Sequence, residues 1–112
     1  LLKRGASPKE KKTENENITL GSLIINPLAH EVYLDGIAVG FTLKEYKILL
    51  KLASNPGRVY TREQLLDEVW GYEYEGDTRT VDSHVARLRT KLSEWGVNHI
   101  KTIYGTGYKI QM

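Results

Sequence analysis

Apolar residues recur at steps of four and three through Val81, Val85, Leu88, Leu92 and Trp95. At roughly 100° per residue that spacing stacks them into one stripe, so residues 77–92 predict a helix buried along one side. On the same angular count Arg79, Ser83, Ala86, Arg87 and Thr90 point away from the stripe. Arg89 lies on one flank, and His84 and Lys91 on the other. A helix buried on one side, with arginines and small polar residues on the other, suits a nucleic-acid groove.

Elsewhere the period changes. Ile18 and Leu20 alternate with polar neighbours, Leu23 to Ile25 follows Gly21, Asn26-Pro27 marks a turn, and Val32 to Leu34 runs into Asp35-Gly36. Asp-Gly favours the positive φ angles of a tight hairpin, with Ile37 to Val39 as the returning strand, so this region predicts a small antiparallel sheet. Thr42-Leu43-Lys44-Glu45 is a capping box, in which hydroxyl and carboxylate satisfy each other's orphan amides. The helix it opens carries Leu43, Tyr46, Leu49, Leu50 and Ala53 on its inner side and ends at Asn55-Pro56-Gly57. Val59 and Tyr60 suggest a short strand. Thr61-Arg62-Glu63-Gln64 is a second capping box, opening a short helix with Leu65, Leu66, Val69 and Trp70 that stops near Gly71. Residues 71–77 form an acidic loop before the helix described first. Residues 100–110 are two alternating strands around Gly105-Thr106-Gly107, a hairpin. The order of elements is that of an α+β winged helix: an N-terminal antiparallel sheet, three helices and a C-terminal β-hairpin wing.

The chain's 112 residues allow one ordinary core and not two. Residues 18–112 are assigned to that domain and the polar run 1–17, rich in Lys, Glu and Asn, to a linker. Leu1-Leu2-Lys3-Arg4 reads equally as the last turn of an upstream helix or as a chance sequence. Net charge is only +2, but the charges are segregated: residues 79–91 hold four basic residues and one acidic, residues 67–77 five acidic and no basic. Such blocks steer partners. The chain has no cysteine, which removes disulfides, thiolate metal sites and thiol nucleophiles. No apolar run approaches the ~20 residues that span a membrane, and the N-terminal residues lack the apolar core of a signal peptide.

Five stretches in this order carry a family resemblance: Thr42-Leu-Lys-Glu-Tyr46, Tyr60-Thr-Arg-Glu-Gln-Leu-Leu66, Val69-Trp-Gly-Tyr72, Arg79-Thr-Val-Asp-Ser-His-Val85 and Gly105-Thr-Gly-Tyr108. Over residues 18–111 the chain resembles the effector domain of OmpR/PhoB-type response regulators. The resemblance implies a cytoplasmic bacterial transcription factor. A receiver domain, phosphorylated through a sensor histidine kinase, precedes the effector, and Leu1–Arg4 would close its last helix. Effector domains of this kind form head-to-tail dimers on direct-repeat half-sites in double-stranded promoter DNA. The third helix enters the major groove and the wing touches the adjacent minor groove. The loop between the second and third helices contacts RNA polymerase, which here is Glu73, Tyr74, Glu75 and Asp77; a merely solvated acidic loop is the competing reading. Two positions depart from the pattern. Tyr104 stands where many relatives carry a wing arginine, and Ala86 where some carry a basic residue.

Arg87, mid-helix on the outward face, is the first candidate for a base contact, since its guanidinium can give two hydrogen bonds to guanine O6 and N7. Ser83 and Thr90 are its groove neighbours, and the small Ala86 can meet a thymine methyl. Arg79, His84, Arg89 and Lys91 suit phosphates at the groove rims, where contacts position the helix without reading sequence. The resemblance adds Thr102, Tyr104, Tyr108 and the Trp70 indole to the backbone set, although Trp70 also fits the core and Tyr108 the sheet. Asp82 fits the helix N-terminal turn or a restraint on an arginine. His30, His84 and His99 lack metal-ligand spacing, so no metal is assigned, and no cofactor. Gly105-Thr106-Gly107 is no phosphate loop, because no helix follows it. Without a nucleophile–base pair or metal cluster, no catalytic residue is assigned and an enzyme is not expected. The alternative to DNA binding is a winged helix used for protein–protein interaction; a steep salt dependence of binding separates the two.

Overall fold

The computed structural model describes residues 17–112. The linker expected over 1–17, apart from Asn17, lies outside the described residues. Four strands, β1 (Ile18–Leu20), β2 (Leu23–Asn26), β3 (Glu31–Leu34) and β4 (Ile37–Ala38), pair in chain order as an antiparallel meander. Leu23 faces Leu34 and Ile25 faces Val32, which gathers the apolar partners on the inner face, while Thr19, Ile24, Tyr33 and Ala38 form the other. The β3–β4 connection is the predicted two-residue turn: Asp35 has φ +53° and Gly36 φ +80°, the left-handed pair that matches strand twist.

Helix α1 (Leu43–Ser54) follows, then β5 (Tyr60–Thr61), α2 (Arg62–Trp70), α3 (Arg79–Lys91), α4 (Ser93–His99), β6 (Ile100–Ile103) and β7 (Gly107–Ile110). Both capping boxes form. Thr42 accepts from the Glu45 amide and Glu45 from the Thr42 amide, at 3.3 and 3.0 Å. Thr61 and Gln64 repeat the exchange at 3.0 and 2.8 Å. The inner side of α1 is broader than its apolar stripe predicts. Leu43 is exposed and Leu50 half-buried, whereas Glu45, Ile48 and Leu52 are buried beside Tyr46, Leu49 and Ala53. The cause is that α1 packs against α2, α3, β1 and β7 at once, so its buried surface wraps around more than one side.

The stripe of Val81, Val85, Leu88, Leu92 and Trp95 is buried throughout, at roughly 1.5–3 kcal/mol for each large side chain removed from water. The helix that carries it is shorter than the stripe. α3 stops at Lys91, Ser93 turns the backbone to φ +54°, and α4 begins, giving four helices where three were expected. Trp95 therefore sits on α4, and its Nε1 donates to the Leu20 carbonyl at 3.0 Å, tying α4 to the first sheet.

The wing hairpin joins β5 in a three-stranded sheet of order β5-β7-β6, with Thr61 opposite Gly107 and Thr102 opposite Tyr108. Gly107 is required there, because a Cβ would stand 1.9 Å from the Tyr60 carbonyl oxygen. The main core lies between the helices and the two sheets, around Leu49, Leu52, Leu65, Leu88 and Ile110.

Candidate nucleic-acid interface

The start of α3 is fixed by Asp77. Its carboxylate accepts from the Arg79 amide at 3.1 Å and from the Arg79 guanidinium at 2.9–3.0 Å, which also places negative charge at the helix's positive end. The Arg79 amide, then its guanidinium, hold the Asp77 carboxyl below the usual range. Beyond this turn Arg79, Ser83, Ala86, Arg87 and Thr90 are all exposed, as the angular count predicts. The Ser83 and Thr90 hydroxyls donate back to the Arg79 and Ala86 carbonyls, at 3.3 and 3.1 Å. Their oxygen lone pairs are left as outward acceptors.

Two basic residues of α3 converge on one buried carboxylate. Glu45, 1% exposed, is the only charged side chain in the core of the described residues. Its Oε2 accepts from Arg87 Nε at 3.0 Å and its Oε1 from Lys91 Nζ at 2.7 Å and from the Thr42 amide. Burial works to raise this carboxyl's pKa, but the hydrogen bonds from Lys91, Thr42 and Arg87 outweigh it and hold the group below its ordinary range. The Arg87 side chain stays 53% exposed, and its Nη amines make no hydrogen bond to the described residues. Lys91 also lies over the Phe41 ring, 5.5 Å from its centroid.

A second network joins α3 to α2 and the wing. Asp82 accepts from Arg62 Nε at 2.8 Å and from the Tyr108 hydroxyl at 2.6 Å. Burial raises its pKa, the hydrogen bonds from Tyr108 and Arg62 lower it, and the lowering prevails. Arg89 donates to the Ile100 carbonyl at 3.0 Å and to Thr102 Oγ1 at 2.5 Å, with its guanidinium 5.6 Å from the Tyr108 ring centroid. Arg89, Thr102 and Tyr108, assigned to phosphates from sequence, are thus brought together between α3 and the wing. Tyr108 is only 5% exposed and its hydroxyl points into the protein. Asp82 restrains an arginine as expected, from a neighbouring helix rather than its own.

On the other rim Trp70 is half-buried, with the His84 ring edge-on at 4.9 Å and Lys44 Nζ 5.5 Å from the indole centroid. His84 Nδ1 lies 2.8 Å from the Thr80 carbonyl. Tyr104 is 90% exposed at the wing tip, away from these groups. Glu73, Tyr74 and Glu75 are exposed in the α2–α3 loop, with the Tyr74 ring tilted against Trp70, whereas Asp77 belongs to the α3 start.

Sequence reasoning missed Glu45, Arg62 and Lys44. Glu45 was visible only as a capping residue, and its arginine and lysine partners stand 42 and 46 positions away. Arg62 and Lys44 appear in the sequence only as inner positions of the two capping boxes, with no pattern that marks their partners. Among the described residues no cluster of three or more His, Asp or Glu is placed to hold a metal, and no helix is long and apolar enough to cross a membrane.

A basic outward helix, a bracing sheet and a C-terminal hairpin wing together define a winged-helix domain of the DNA-binding type. Residues 36–110 match the family described as "Transcriptional regulatory protein, C terminal", and the chain belongs to that family, the OmpR/PhoB-type output domains of response regulators. The resemblance read from the five sequence stretches is therefore borne out. The whole chain is similar to the transcriptional regulatory protein SrrA of Staphylococcus aureus, at 44% identity over 49% of that protein. It spans about half the length of the curated relatives it matches. The fold is similar to that of response regulator DrrB, an OmpR/PhoB homologue of Thermotoga maritima, with TM-score 0.78 and 36% identity over 86% of this chain and 44% of that one. It is likewise similar to the Klebsiella pneumoniae RstA DNA-binding domain solved in complex with the RstA box, with TM-score 0.75 and 33% identity over 86% of this chain and 97% of that one.

Proposed function

We propose that this chain binds double-stranded promoter DNA sequence-specifically, as the output domain of a response regulator, with α3 in the major groove and the wing at the adjacent minor groove. The observation that carries the reading is the outward face of α3. Arg79, Ser83, Ala86, Arg87 and Thr90 stand exposed on a helix whose opposite side is locked in the core. In this reading Arg87, Ser83, Ala86 and Thr90 meet base edges. Arg79, His84, Lys91, Trp70, Thr102 and Tyr104 line the sugar–phosphate rims. Arg89 and Tyr108 serve that rim chiefly by bracing the wing, since their polar groups are engaged within the protein.

The same reading places residues 18–112 as the DNA-binding unit and 1–17 as the link to an upstream receiver domain, phosphorylated by a sensor histidine kinase in the bacterial cytoplasm. Two copies sit head to tail on direct repeats. Glu73, Tyr74 and Glu75, exposed beside the interface, meet RNA polymerase, with Asp77 shaping the end of that loop. No catalytic step enters the function. Selection of binding sites from random duplex DNA tests it, followed by a salt titration on the selected sequence. The affinity should fall with a log–log slope of about −0.9 per neutralised phosphate. A flat salt response, or no enriched sequence, refutes the reading and favours a protein-binding winged helix.

A further inference from the structure

We infer that Glu45 is a positioning residue for base recognition: it holds Arg87 by Nε so that the Nη edge is presented to the groove, and it sets how selective the protein is among DNA sequences. The inference rests on the DNA-binding reading above and names the residue that gives it specificity.

An unrestrained arginine on a helix surface samples many rotamers and meets phosphate as readily as base. Arg87 is not unrestrained. Its Nε is tied at 3.0 Å to a carboxylate that is itself buried. Glu45 is 1% exposed, seated on α1, and anchored through its other oxygen to the Thr42 amide and Lys91. Holding Nε leaves the two terminal amines, and their side-by-side N–H groups can make a bidentate guanine contact. Burial of the anchor matters as much as its charge. A carboxylate shielded by the protein cannot be pulled towards solvent, so the guanidinium is pre-set before DNA arrives and less rotamer freedom is lost on binding.

Glu45 also acts against indiscriminate binding. It is a negative charge directly behind the basic face, and it engages Lys91 as well as Arg87. Both cations are thereby partly neutralised and restricted in reach towards passing phosphates. Removing the charge should therefore move two quantities in opposite directions, which loss of structure alone cannot do.

Glu45→Gln is the informative substitution, because Gln keeps the volume and the capping box. The same fold already uses Gln in that role, in the Thr61–Gln64 box of α2. Binding is measured on the duplex that the wild-type chain enriches from random DNA and on a shuffled duplex of equal length. The cognate-to-shuffled ratio should fall about tenfold, the size of one lost bidentate base contact, while affinity for the shuffled duplex rises and its salt slope steepens by up to about 0.9 for each released cation. In an Arg87→Lys background, where no fork remains, Glu45→Gln should no longer change the ratio. Independently of any variant, the Arg87 Nε–H resonance of the free wild-type chain should be protected from exchange at neutral pH and lose that protection as Glu45 is protonated. An unchanged ratio in Glu45→Gln, a parallel fall on both duplexes, the same fall in the Arg87→Lys background, or an unprotected Arg87 Nε–H each overturns the inference while leaving DNA binding intact. If wild type enriches no sequence, the DNA-binding reading falls and this inference with it.

Discussion

Replacing Tyr108 by Phe removes one oxygen and nothing else, and it cuts one link between the wing and α3 while leaving those that Arg89 makes to Ile100 and Thr102. That hydroxyl donates at 2.6 Å to Asp82, which also accepts from Arg62 at 2.8 Å. A hydrogen bond to a charged group contributes about 1.5–3 kcal/mol. Here the Asp82 side chain is a third exposed and keeps Arg62, so water and the arginine soften the loss, and we expect the low end, about 1.5 kcal/mol. For a domain of this size that lowers the melting midpoint by roughly 6–12 °C. The pH dependence adds a sign. The folded pKa of Asp82 lies below its ordinary value, so its contribution is fully present above about pH 4 and is lost as the pH falls through the folded value. Denaturant unfolding of wild type and Tyr108→Phe, from neutrality down to about pH 3, should show the gap closing in acid. A gap under about 0.5 kcal/mol at neutral pH, or one that does not narrow on acidification, would refute the reasoning.

Other substitutions probe separate parts of the molecule. Arg87→Ala should reduce preference for the selected sequence more than general DNA affinity, by about 1–3 kcal/mol of discrimination, whereas Lys91→Ala should weaken all sequences alike; competition binding with shuffled DNA separates them. Gly107→Ala should prevent β5 from pairing with β7, because the new methyl meets the Tyr60 carbonyl, and thermal melting should show it destabilised by more than about 2 kcal/mol, in the upper part of the range for overpacking. Glu73→Gln combined with Glu75→Gln should leave DNA affinity unchanged while reducing promoter activation, read by a transcription assay alongside the binding curve.

How much of this was legible in the sequence follows the range of each interaction. The Asp35-Gly36 turn, both capping boxes and the outward set on α3 depend on residues within four positions of one another, and all were readable. The stripe through Trp95 is buried as its spacing predicts, but it continues past the expected helix 77–92 onto a second one, because the left-handed Ser93 interrupts the backbone without interrupting the burial. The inner side of α1 was misjudged at Leu43 and Leu50, since four packing partners, not one, decide which of its residues are covered. The Glu45 cluster and the Arg62–Asp82–Tyr108 network were invisible for a simpler reason. Their members lie 20 to 46 positions apart, and no local pattern couples them.

The two tryptophans, which the fold keeps apart in role, give the molecule two optical reporters. Trp95 is buried with its indole N–H fixed to the Leu20 carbonyl, so its emission should change only when α4 leaves the first sheet. Trp70 is half-buried at the rim beside His84, and its emission should respond when DNA covers that rim. One unlabelled sample can then report occupancy and integrity as distinct signals, with Trp70→Phe and Trp95→Phe assigning each.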